Sequence, residues 1–253
     1  GNEMSNFASY EEEALFYAES ALEDRMLHNE VQSMFDMYNI AFLEAGDAGV
    51  DATKTKGIGT RIIDAISRIL EKIGNVVGGI IEGFKTAFTS DKKKLTADEY
   101  MNADSTQEKL YADFNAIADQ VDEEYRLARP LIASITNITK MDSAKVEEMC
   151  DKLDAVVSQK YDETKEKGKI LYKNKEKIAT DIGVKVLSNK LIDNSKAINK
   201  YKDETSKYMI RMKSRKLNDV DIKNMNKIDR IAVSINRMVS KWDRESRKVR
   251  KYL

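Results

Sequence analysis

The sequence predicts an all-α fold: an elongated antiparallel bundle of long, coiled-coil-like helices with an acidic helical arm at its N-terminus. Three observations carry that reading. The chain of 253 residues has one proline, Pro130, where an average domain of this length would carry about a dozen. Prolines mark turns and strand edges, so their scarcity speaks against a sandwich, a barrel or a βαβ array. Charged residues make up 34% of the chain and aromatics 8%, a balance suited to helices with wide solvated faces. Apolar residues also recur at spacings of three and four along the chain, the period of a helix with one buried face.

The formal net charge of zero conceals three unlike segments. Residues 1–53 hold twelve acidic side chains and one basic one, Arg25. Residues 54–195 balance at 24 of each sign, and residues 196–253 hold eighteen basic and seven acidic side chains. The charge pattern predicts three units: an acidic N-terminal helical arm and linker (1–53), an amphipathic Ile/Gly-rich helix (54–91), and a long-helix bundle ending in a basic helix (92–253).

In the arm, Ser9-Tyr-Glu-Glu12 reads as a capping box, with a serine N-cap ahead of glutamates in the first turn. Leu15, Tyr17, Leu22, Met26, Val31, Met34, Phe35 and Tyr38 then supply an apolar face. The arm either docks on the bundle or serves as a detachable docking element. Ala45-Gly-Asp-Ala-Gly-Val-Asp-Ala-Thr53 has the composition of a linker.

Residues 57–88 carry a broad stripe of Ile62, Ile66, Ile69, Ile73, Val77, Ile80, Ile81, Phe84 and Phe88, with Arg61, Asp64, Arg68, Glu71 and Lys72 mainly on the other side. Gly74/Gly78 and Gly79/Gly83 are two small-xxx-small spacings that let a second helix approach closely. Each interior glycine costs about 1 kcal/mol against alanine, so this helix needs a surface to hold it. That surface is the core of the bundle, a membrane interface, or another copy of the chain.

From residue 92 onward the pattern is one of successive long helices. Thr96-Ala-Asp-Glu99 and Ser105-Thr-Gln-Glu108 are capping boxes, and the helix after the second carries Leu110, Phe114, Ile117, Val121, Tyr125, Ala128 and Ile132. Pro130 falls inside that run and is expected to kink or split it. Asp142-Ser143 caps the next helix, with Val146, Met149, Cys150 and Leu153 on its apolar side, before a very polar stretch to about Lys177. Val184, Leu187, Leu191, Ile198, Tyr201 and Met212 mark another helix. Asn218-Asp219 opens the last, with Met225, Ile228, Ile235, Trp242 and Val249 as its core residues.

That last helix is crowded with Lys223, Lys227, Arg230, Arg237, Lys241, Arg244, Arg247 and Arg250. Such a cluster can neutralise phosphates of a nucleic acid, pair with the acidic arm, or form a solvated face with its own interspersed acids, Asp219, Asp221, Asp229, Asp243 and Glu245. Cations near a helix C-terminus are in any case favoured by the macrodipole.

Catalytic chemistry is poorly supplied. Cys150 is the sole cysteine and His28 the sole histidine, which excludes an internal disulfide, a cysteine-based zinc site and a His-paired nucleophile. Gly74-Asn-Val-Val-Gly-Gly79 lacks the Lys-Ser/Thr of a phosphate loop. The expectation is therefore no catalytic residues, no metal, no cofactor and no small-molecule substrate. The longest uncharged apolar run, Ile73–Ile81, is about half of what a membrane span needs, and the acidic N-terminus lacks the basic flank of a secretory signal. Gly1 ahead of Met4 reads as a processed end or a short extension.

The layout as a whole resembles virion proteins of large tailed phages of Gram-positive hosts. The likeness lies in an acidic, aromatic-rich start (Tyr10-Glu-Glu-Glu-Ala-Leu-Phe-Tyr-Ala-Glu19), a short linker, an Ile/Gly amphipathic helix and a Lys-rich helical tail. It implies a structural or head-internal protein, made in the host cytoplasm and located in the virion, whose partners are virion neighbours or copies of itself. A membrane surface and a nucleic acid are the alternative partners, through residues 57–88 and the basic helix respectively.

Overall fold

The computed structural model describes residues 10–45, 52–90, 109–112, 114–161, 164–167, 180 and 182–253. Among these are six α-helices: α1 (Tyr10–Ala45), α2 (Ala52–Thr89), α3 (Phe114–Ala133), α4 (Ser143–Val157), α5 (Val184–Lys213) and α6 (Asp219–Arg250). The fold is all-α, a bundle of packed helices. Two four-residue strands, β1 (Lys109–Ala112) and β2 (Thr164–Lys167), pair antiparallel, with Lys109 opposite Lys167 and Ala112 opposite Thr164. The expected helix through Leu110 is thus corrected: Leu110 lies in β1, and α3 begins only at Phe114. The capping boxes at Ser9, Thr96 and Ser105 involve residues outside those described.

Local chemistry explains the helix boundaries. Asp142 caps α4 by accepting a 2.7 Å hydrogen bond from the Ala144 N–H. Asn218 opens α6 with a reciprocal capping box: its side chain accepts from the Asp221 N–H at 2.9 Å, while the Asp221 carboxylate accepts from the Asn218 N–H at 3.0 Å. Pro130 sits inside α3, and the α-helix ends three residues later in a 3₁₀ stretch, Ser134–Lys140, broken at Asn137. The missing proline donor weakens that last turn. Gly183 is the N-cap of α5 at φ +78°, where a side chain would be strained and would also meet the Asn115 backbone nitrogen at 2.6 Å. This tight passage sets the start of α5 against the start of α3, where the Phe114 N–H donates to the Ile182 carbonyl at 2.8 Å.

Helix α6 is the hub. It contacts all five other helices, while α2 packs chiefly on α6 and α5, α3 on α5 and α4, and α4 on α6. Ile62, Ile66, Ile69, Leu70, Ile73, Val77, Ile80 and Phe84 of α2 are buried in one core with Leu191, Ile198 and Met209 of α5 and Met225, Ile235 and Trp242 of α6. Each such side chain contributes about 1.5–3 kcal/mol on leaving water. Helix α1 lies outside, against α2 and α6. Only part of it is sunk: Val31, Met34, Phe35 and Tyr38 are buried, whereas Leu15, Leu22 and Met26 are 59%, 56% and 64% exposed.

Candidate functional site

The apolar stripe of α2 is largely used up by the bundle. Seven of the nine residues that could face a membrane or partner, Ile62, Ile66, Ile69, Ile73, Val77, Ile80 and Phe84, are buried; Ile81 is half-buried and Phe88 exposed. The glycines divide. At Gly74 an added Cβ would meet Lys202 Cε at 2.7 Å, and at Gly83 it would collide with the Arg250 guanidinium, so both admit a long side chain from a neighbouring helix. Gly78 and Gly79 are exposed, with nothing within 4 Å of an added Cβ. The expectation of close helix packing at those two is corrected, because they lie on the outer side of α2.

The eight basic residues of α6 expected to form an anion-binding face do not make one open face. Lys227 and Lys241 are buried, Arg230, Arg237, Arg244 and Arg250 are half-buried, and Lys223 and Arg247 are exposed. The reason is that a helix in contact with five others turns most of its circumference inward. Four of its cations, Lys227, Arg230, Arg237 and Lys241, are met from neighbouring elements, while Arg247 and Arg250 find partners on α6 itself. Arg230 donates to Glu147 (3.0 Å), Asp151 (2.9 Å) and Asp154 (2.9 Å), all on α4. Burial works against the guanidinium's charge, and these acids raise its pKa further above the ordinary value. Arg237 approaches Asp154 at 3.6 Å and donates to Ser158 at 3.1 Å. Lys227 donates to the carbonyls of Ile138 (2.7 Å) and Met141 (2.8 Å), satisfying acceptors at the end of the 3₁₀ stretch.

A second polar knot surrounds Glu124, which is fully buried on α3. It accepts from Lys241 Nζ at 2.9 Å, from Trp242 Nε1 at 2.9 Å and from the Tyr161 hydroxyl. Lys241 also donates to the Gln159 carbonyl at 2.6 Å and stacks 3.7 Å from the Tyr161 ring centroid. Burial lowers the Lys241 pKa and Glu124 opposes that shift. The knot ties α3, α6 and the segment after α4 together, and its members are saturated by one another. Sequence reading missed it. The available signal was an acid on the α3 stripe, between Val121 and Ala128.

The acidic arm and the basic helix do meet, through an unexpected residue. Fully buried Asp229 of α6 faces α1, where Gln32 Nε2 donates to it at 3.4 Å and His28 Nδ1 lies 3.8 Å away. Burial pushes the Asp229 carboxyl up to about 7, against the Gln32 hydrogen bond and the nearby Arg230 charge. Burial and Arg230 hold the His28 pKa below its usual value. Two acids of α1 turn instead to α2, where Glu30 pairs with Arg68 at 3.4 Å and Glu23 pairs with Lys72.

Cys150 is buried, and burial pushes its thiol up to about 12, which suits a core side chain rather than a nucleophile. Among the described residues no group of three or more His, Cys, Asp or Glu is arranged to hold a metal ion, and no helix is long and apolar enough to cross a membrane. A shallow concavity of about 640 Å³ lies on α1, lined by Glu19, Leu22, Glu23, Met26, Asn29, Glu30 and Ser33. No family model, curated protein or solved structure matches the chain.

Proposed function

We propose that this protein is a non-enzymatic helical assembly component, a virion building block in the sense of the resemblance above, working through protein contacts made by α1. One observation carries the reading: Leu15, Leu22 and Met26 are exposed beside a concavity rimmed by glutamates. Exposed apolar side chains rimmed by polar ones are one mark of a protein contact surface. The polar knots inside the bundle, around Glu124 and Arg230, suit a rigid body that presents such a surface.

The burial of α2's stripe weighs against the membrane reading, since residues 57–88 would have to leave both α5 and α6 to reach a bilayer. The dispersal of α6's cations among internal partners weighs against a phosphate track along that helix. The test is density-gradient fractionation of assembled particles from the source. The protein co-sediments with them at fixed stoichiometry, and the Leu22→Asp/Met26→Asp variant is left at the top of the gradient with its melting temperature unchanged. Recovery of the unaltered protein only in the unassembled fraction would overturn the reading.

A further inference from the structure

The turn between α5 and α6 is a basic tip. Residues 207–216 carry Lys207, Arg211, Lys213, Arg215 and Lys216 with no acidic residue, and all five side chains are exposed. Two are pinned within the chain, Lys213 to Asp64 at 3.2 Å and Arg215 to Asp221 at 3.3 Å. Arg211 lies over the Tyr208 ring at 5.6 Å. In their midst Ile210 is 68% exposed, between Lys207 and Arg211 on the last turns of α5. The helix macrodipole accounts for cations at a C-terminus, but it gives no reason to hold a bare isoleucine among them.

Helix α1 offers the converse surface. It holds nine acidic residues and one basic one, and its concavity sets exposed Leu22 and Met26 among Glu19, Glu23 and Glu30. The two surfaces lie apart on one molecule. Pairing of Glu30 with Arg68 and Glu23 with Lys72 shows α1 running antiparallel to α2, and Asp64 of α2 marks the level of the tip. Helix α1 packs on α2 and α6, whereas α5 packs on α2, α3 and α6, so the concavity and the tip belong to helices that do not pack on each other.

We infer that the basic tip of one copy docks on the acidic, apolar face of α1 of a second copy, with Ile210 entering between Leu22 and Met26 and Lys207 and Arg211 meeting Glu19 and the exposed sides of Glu23 and Glu30, which also pair with Lys72 and Arg68 of α2. This rests on the assembly reading above and names its partner as the chain itself. Pairing two α1 faces would set like charges together, so the contact is heterologous. Such contacts repeat from copy to copy, closing into a ring or continuing as a filament.

Sedimentation velocity on the full chain tests this. At about 50 mM salt the mass should rise with concentration beyond that of a dimer, with affinity about tenfold weaker near 500 mM as the charges are screened. Lys207→Glu/Arg211→Glu and Leu22→Asp/Met26→Asp should each stop growth while leaving the circular dichroism unchanged. Mixed together, they should form one-to-one pairs that grow no further, since each keeps one intact surface. A chain that stays monomeric up to about 100 µM, an association that the tip variant leaves intact, or a mixture that fails to pair overturns the inference. So does a monomeric chain that binds duplex DNA until the tip is reversed, which would assign the tip to nucleic acid. Monomeric protein that is still incorporated into particles leaves the assembly reading standing with a different partner on α1. Self-association without incorporation does the opposite.

Discussion

Helices α2 and α6 pack against each other at the centre of the bundle, yet they bury themselves by opposite means. Helix α2 hides an isoleucine stripe and leaves Arg61, Arg68 and Glu71 exposed. Helix α6 takes Lys227, Asp229, Lys241, Glu245 and Lys248 into the interior along with Ile235 and Trp242. The difference shows that burial here is decided by the number of neighbours a helix has and by what those neighbours offer. A helix with five partners can sink its charges where acids and carbonyls are waiting for them.

The comparison breaks most sharply at Glu124. Leucine there should cost about 3–5 kcal/mol, because it strands the Lys241 ammonium in the interior and takes the Trp242 N–H's acceptor with it. Adding Lys241→Met should recover much of that loss, which chemical denaturation of the single and double variants would measure. On the α2 side, Ile73→Ala should cost about 2–5 kcal/mol by leaving a cavity, and no second substitution of a charged group should rescue it.

Asp229→Asn sharpens the contrast through pH. The folded carboxyl titrates near 7 against an ordinary 3.8, so its contribution is fully present below about 3.8 and lost as pH rises through 7. The asparagine variant, still able to accept from Gln32, should therefore be more stable than the parent at pH 8, on the order of 4 kcal/mol. That advantage should shrink steadily toward pH 4; His28, common to both proteins, largely cancels in the comparison. A constant difference across that range would mean Asp229 is not buried as a titrating acid. The smallest effects belong to α6's outward cations: Lys223→Ala and Arg247→Ala should each change stability by no more than about 0.5 kcal/mol.

Sequence periodicity was enough to place α2, α4, α5 and α6, because their apolar spacings and the Asp142 and Asn218 caps are local signals. It was also enough to put Cys150 and Trp242 in the core. It could not see which charges would be covered, since that depends on the α4 acids lying beside Arg230 and on Glu124 lying beside Lys241, both of them distant in the chain. Gly78 and Gly79 misled for the same reason: their spacing suits a close crossing, but no helix among the described residues crosses there. Leu110 continued the α3 pattern and still went to a strand, where pairing with residues 164–167 prevailed over the extrapolated helix period.

The position of α6 in the chain has a consequence for how the molecule is made. The helix that touches every other helix follows all of them in the sequence. At a synthesis rate of about 5–20 residues per second, the α2 stripe waits roughly 5–25 s for α5 and roughly 10–30 s for α6, the two helices that cover it. During that interval an isoleucine-rich, amphipathic helix is open to every surface in the cell. The nascent chain, more than the finished bundle, is therefore where this protein is vulnerable to aggregation and where a chaperone or early assembly partner would meet it.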